Sequence, residues 1–136
     1  MRWLRRVRAV GLLCLLGGSV QCSDHTGPED LAECSGPVTL TITSGTAPTF
    51  SWTPRCRLFF LIVEPAESGA DLWSIITRSE NGLAPPVEYG ALPRGAEETV
   101  PPAALQAGVA YKVAVARWTG PGDDDGETVG VHPFTP

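Results

Sequence analysis

The feature that most restricts what this chain can become is the run at residues 105–118, LQAGVAYKVAVARW. From Tyr111 it alternates strictly. Tyr111, Val113 and Val115 fall on one face and Lys112, Ala114 and Ala116 on the other, the period of two that a half-buried strand requires. A second alternation, Val38, Leu40 and Ile42 against Thr39, Thr41 and Thr43, predicts another strand with one apolar face. After a turn at residues 44–48 comes TFSWTP, in which Phe50 and Trp52 share a side. The run RLFFLIVEP at 57–65 is apolar on both sides, with Leu58, Phe60 and Ile62 one way and Phe59, Leu61 and Val63 the other. Such a strand belongs in the middle of a sheet, and Pro65 ends it. Short strands joined by Gly- and Pro-rich turns predict an all-β, two-sheet antiparallel sandwich. At 136 residues with a hydrophobic fraction of 43%, the chain has one domain's worth of core.

The first two strands also position two cysteines. With the hairpin centred on Gly45, Ile42 faces Pro48, Leu40 faces Phe50 and Val38 faces Trp52; continued outward, the same register sets Cys34 opposite Cys56. The expectation is a Cys34–Cys56 disulfide, which contributes about 3 kcal/mol on the chain-entropy model. The alternative is two independent buried thiols.

Residues 66–98 read as short strands and turns. LWSIIT at 72–77 has strand character, Asn81-Gly82 is a turn signal, and PPVEYG at 85–90 is an edge strand, because Pro85 and Pro86 cannot donate to a ladder. Trp73 and Tyr89 form a candidate aromatic platform for a sugar or peptide, against the alternative that both rings pack in the core or at an edge. The loop at 119–127 carries Asp123, Asp125 and Glu127, a weak calcium candidate. The alternating ligand order and flanking helices of calcium loops are missing there, so a solvated turn is expected and neither metal nor cofactor is assigned. Residues 128–134 make the final strand, with Phe134 closing the core.

Leu105, the turn at Gly108 and an inward Tyr111 resemble the tyrosine corner of sandwich domains, in which the phenol bonds to backbone a few residues upstream. Trp52 in the second strand, followed by Pro54 and a turn, resembles the fibronectin type III pattern. The resemblance implies a fibronectin type III-like sandwich over residues 34–136, with the start of the first strand and the loop after the second at one end, in agreement with the cysteine pairing. It also implies that the run at 57–65 lies beside the strand at 109–118. Phe59, Leu61, Val63, Ala114, Ala116 and Trp118 then build an apolar patch on the outer face of that sheet. Either the long segment after it folds over this patch or the patch is a partner-binding surface.

The N-terminus supplies an address. Arg2, Arg5, Arg6 and Arg8 precede an apolar run at 9–16 and the small residues Gly17, Gly18 and Ser19, so residues 1–21 read as a signal peptide. The apolar run falls short of the roughly 20 residues of a spanning helix. Ser19-Val20-Gln21-Cys22 resembles a bacterial lipobox, which implies lipidation at Cys22. Cysteine arithmetic agrees: Cys14 leaves with the leader, Cys22 takes the lipid, and Cys34 and Cys56 remain as a pair. Residues 22–33 are acidic and broken by Gly27-Pro28, a flexible tether; its stretch from 23 to 33 reaches at most about 36 Å. The expected location is the cell envelope, periplasmic or at the cell surface.

Without the leader the chain keeps 6 of its 10 basic residues against 15 acidic ones, a net charge of about −9. Arg55, Arg57, Arg78, Arg94, Lys112 and Arg117 are scattered, so nucleic acid is not an expected partner. There is no Gly-rich phosphate loop, nucleophile elbow or paired-Cys motif, and His25 and His132 sit at opposite ends of the exported chain. No catalytic residue is assigned, and an enzyme is not expected. The expectation is an envelope-anchored binding or assembly module whose partners are the membrane, through the lipid, and another envelope protein. The alternatives are a purely structural lipoprotein without a ligand and a carbohydrate-binding module using Trp73 and Tyr89.

Overall fold

A computed structural model describes residues 30–67, 69–78, 80–121 and 125–136. The signal peptide, Cys22, His25 and Asp123 lie outside the described residues. Eight strands follow one another: β1 (Thr39–Ile42), β2 (Thr49–Thr53), β3 (Phe60–Pro65), β4 (Trp73–Ile76), β5 (Val87–Glu88), β6 (Glu97–Val100), β7 (Tyr111–Trp118) and β8 (Gly126–Phe134). They form two antiparallel sheets, ordered β1-β2-β5 and β6-β4-β3-β7-β8, packed as a sandwich. Leu40, Phe50, Trp52 and Val87 from the first sheet meet Leu61, Val63, Trp73, Ile75, Val113 and Val115 from the second in a single buried core.

β7 obeys its alternation, burying Tyr111, Val113 and Val115 and leaving Lys112 and Ala114 half-buried on the other side. The corner forms as its residues imply: the Gln106 N–H donates to the Tyr111 hydroxyl at 3.0 Å, pinning the approach to β7. Phe134 closes that end, with its ring 5.7 Å from Tyr111 and 5.8 Å from Phe50. Tyr111→Phe keeps the packing and removes the acceptor, so urea unfolding is expected to show a loss of about 1 kcal/mol.

The β1–β2 hairpin differs from its expected register by two residues. Leu40 pairs with Trp52 and Ile42 with Phe50, while Pro48 lies in the loop. The reason is Pro48 itself, which has no N–H to give to a ladder. Thr49 takes the closing position, its N–H donating to Thr43 Oγ1 at 2.8 Å and its carbonyl accepting from Thr43 N–H at 3.1 Å. A slip of two leaves every side chain on its expected face, whereas a slip of one would have turned the core outward.

Cys34 and Cys56 are bonded, with Cα atoms 4.9 Å apart, although not as antiparallel partners. The chain at Glu33 runs parallel to Arg57, with Cys34 N–H bonded to Arg57 O at 2.9 Å and Arg57 N–H to Ala32 O at 2.8 Å. Ala32 and Glu33, expected in the tether, therefore belong to the folded unit. Both cysteines are buried, and the bridge suits an oxidising, extracytoplasmic compartment.

β3 is central, between β4 and β7, and Pro65 ends it. Its face assignment needs correction: Leu61 and Val63 are fully buried opposite Val115 and Val113, and Phe60 and Ile62 face outward. Leu58 is also fully buried, because the chain bends at Phe59 and the alternation restarts. β5 is the edge strand that the prolines require. β6 was not anticipated; it adds to β4 as an edge strand, three of its four residues exposed, where Glu97 and Glu98 discourage further pairing.

Asn81, in the turn after β4, is buried and acts as a surrogate strand residue for the end of β7. Its Oδ1 accepts the Trp118 N–H at 2.7 Å, and its Nδ2 donates to Trp118 O at 3.3 Å and to Glu33 Oε2 at 3.2 Å. The Asn-Gly pair thus ties the β4–β5 connection to β7 rather than closing a hairpin.

Candidate functional site

The outer face of the five-stranded sheet is set by register. Ile62 lies between Ser74 on β4 and Ala114 on β7, and Ala114 lies beside Val131 on β8. One row away, Phe60 lies between Ile76 and Ala116. Phe60, Ile62, Ile76 and Ala114 are half-buried and Val131 is 58% exposed, so an apolar stripe runs across the sheet. The described residues between 66 and 98 do not fold over it; they extend the sheet edge through β4 and the start of β6 and supply β5 to the other layer. At one end the stripe gives way to the Glu64–Lys112 ion pair, 3.0 Å apart, a polar rim.

At the other end stands an aromatic corner. Phe59 packs edge-on against Trp118 at 5.2 Å and tilts against Phe60 at 6.0 Å. Gly126 makes this possible, because a Cβ there would lie 2.9 Å from the Phe59 ring. Of the six residues expected in the patch, Phe59, Ala116 and Trp118 gather at this corner with Phe59 and Ala116 buried, and Ala114 sits in the stripe. Leu61 and Val63 are core residues; Phe60, Ile62, Ile76 and Val131 take their place. Nothing in a run apolar on both faces distinguishes the two sets, and Ile76 and Val131 belong to strands whose neighbours only the topology reveals.

Trp73 and Tyr89 do not form a platform. Trp73 is fully buried and meets Tyr89 edge-on at 5.1 Å and 64°, so the two rings pack at the sheet edge. The Tyr89 hydroxyl donates to Ala103 O at 2.6 Å, and burial, then the Tyr111 phenol, pushes its pKa above the ordinary tyrosine value.

At the start of β8, Glu127 pairs with its β7 neighbour Arg117 at 2.6 Å, and in the loop before it the Asp125 carbonyl accepts from Thr119 N–H at 2.8 Å. Among the described residues no group of three or more His, Cys, Asp or Glu side chains is placed to hold a metal ion. His132 is exposed on β8, its Nδ1 2.6 Å from Pro133 O. No helix among the described residues is long and apolar enough to cross a membrane.

The fold and this face define an all-β two-sheet sandwich with an apolar stripe that no described segment covers. Neither a family model, nor a curated protein, nor a solved structure matches the chain.

Proposed function

We propose that this is an exported, non-enzymatic binding or assembly module of the bacterial cell envelope, lipid-anchored through Cys22 and engaging an envelope protein through the outer face of its five-stranded sheet. The observation that carries the reading is the stripe of Phe60, Ile62, Ile76, Ala114 and Val131, which no segment among the described residues covers. Contiguous apolar surface rimmed by polar groups is the usual mark of an interaction site. The anchor rests on the cysteine count: with Cys34 and Cys56 bonded to each other, Cys22 is the one thiol left over once the leader is gone. The strand order β1-β2-β5 facing β4-β3-β7-β8, together with the Tyr111 corner, supports a fibronectin type III-like fold, and β6 is an addition to that plan. A carbohydrate-binding role through Trp73 loses its basis, since that ring is buried.

The test is photo-crosslinking in intact envelopes, with the photoreactive residue at position 62 or 131 and a control at exposed Thr41 on the opposite sheet. Adducts of defined mass from 62 and 131 and none from 41 are expected. No adduct from the face, or the same adducts from all three positions, overturns the proposal.

A further inference from the structure

A second feature, independent of the sheet face, concerns the cations of an otherwise acidic chain. Arg78 pairs with Glu97, Lys112 with Glu64 and Arg117 with Glu127, while Arg55 donates to Pro85 O at 3.2 Å. Arg57 and Arg94 form no ion pair with a described residue, and both line one cleft of about 700 Å³, the size that accommodates a small organic molecule. Arg57 Nε is shielded from solvent and has no hydrogen-bond partner among the described residues. With no described carboxylate paired to it, the partly desolvated guanidinium carries a charge that an anion seated in the cleft against its outer nitrogens would offset.

The two arginines are held by different parts of the fold. Arg57 is fixed by its backbone bonds beside the disulfide, to Ala32 O and from Cys34 N–H. Arg94 sits in a turn closed by the Ala96 N–H to Pro93 O bond at 3.1 Å, with Gly95 at φ 81° completing it. Glu80 also lines the cleft, and Ala84, Pro86 and Pro93 give it apolar walls. Two guanidinium groups against one carboxylate leave a net charge of +1, which matches a monoanion better than a dianion. The planar guanidinium fork takes a carboxylate in bidentate fashion, and Glu80 accepts an N–H beside it. Apolar walls take an aliphatic side chain.

We infer that this cleft binds a carboxylate with a neighbouring N–H and an apolar side chain, the chemistry shared by a peptide carboxyl terminus and a free aliphatic amino acid. Arg57 and Arg94 hold the carboxylate and Glu80 the N–H.

The experiment uses the exported protein in detergent and follows its arginine Nε–Hε resonances by NMR. The probes are a tetrapeptide ending in leucine, its C-terminal amide, free leucine and inorganic phosphate. The peptide acid, free leucine, or both are expected to shift the Arg57 and Arg94 signals saturably, and which of them binds more tightly names the source. The amide and phosphate are expected to bind at least about tenfold more weakly. Arg94→Gln, a substitution in an exposed turn, is expected to weaken binding by at least about tenfold with the rest of the spectrum unchanged. The inference is overturned if no carboxylate shifts these signals up to about 10 mM, if amide or phosphate binds as tightly as the acid, or if Arg94→Gln leaves the affinity unchanged.

Discussion

Replacing Trp52 with Ala is expected to destabilise the domain by about 3–5 kcal/mol, a large part of the stability of a domain this size. The indole is 1% exposed, opposite Leu40 on β1 and between the two layers, so truncation leaves a cavity that the sheets can close only by moving together. It also removes a hydrogen bond. Trp52 Nε1 donates to Cys56 O at 2.8 Å, and the buried carbonyl would be stranded. Urea unfolding under non-reducing conditions measures the loss. Trp118→Ala is the comparison, since that ring is half-buried at the aromatic corner and its removal is expected to cost appreciably less. Equal losses at the two positions would mean that the core is not where this fold puts it.

The double replacement Cys34→Ala, Cys56→Ala is expected to cost about 3 kcal/mol, because the bridge closes a loop of sequence separation 22 and its loss returns that freedom to the unfolded chain. The consequence is visible in denaturant as a lower midpoint, and reduction of the unaltered protein should reproduce it. Because the Cys56 carbonyl is also the acceptor for Trp52, the cysteine and tryptophan effects are not independent. The triple variant is expected to lose less than the two effects added together, with the coupling read from a double-mutant cycle.

Much of this architecture is written in local pattern. The alternation at Tyr111, Val113 and Val115 is decisive because one face is polar or small, and it identifies the inward side of β7 without reference to any other strand. The corner hydrogen bond and the edge position of β5 follow from single residues, Tyr111 and the Pro85-Pro86 pair. What local pattern does not carry is register. Gly45 marks the β1–β2 turn, with φ 100°, but the loop is centred further along because Pro48 cannot enter the ladder. The cysteines meet all the same, through a parallel approach of the chain at Glu33 that no spacing rule foretells.

β3 shows the same limit more sharply. With apolar residues on both sides it holds no signal for which side is inward, and only its pairing with β7 decides that Leu61 and Val63 are core and that Phe60 and Ile62 face outward. The candidate face was therefore legible as a location, the sheet formed by β3 and β7, and not as a list of side chains. The Arg57 and Arg94 cleft was not legible at all. Its residues come from three separate stretches, and the sequence shows only that the cations are scattered, not which of them lack an ion-pair partner among the described residues.

The claim on which the rest depends is a sandwich stapled at one end and exported on a lipid. Non-reducing mass spectrometry of the protein recovered from bacterial envelopes tests it in one experiment. The result expected is an N-terminus at Cys22 bearing acyl chains, with a proteolytic fragment in which Cys34 is linked to Cys56. Free thiols at 34 and 56, or a bridge from either of them to an unmodified Cys22, would contradict it.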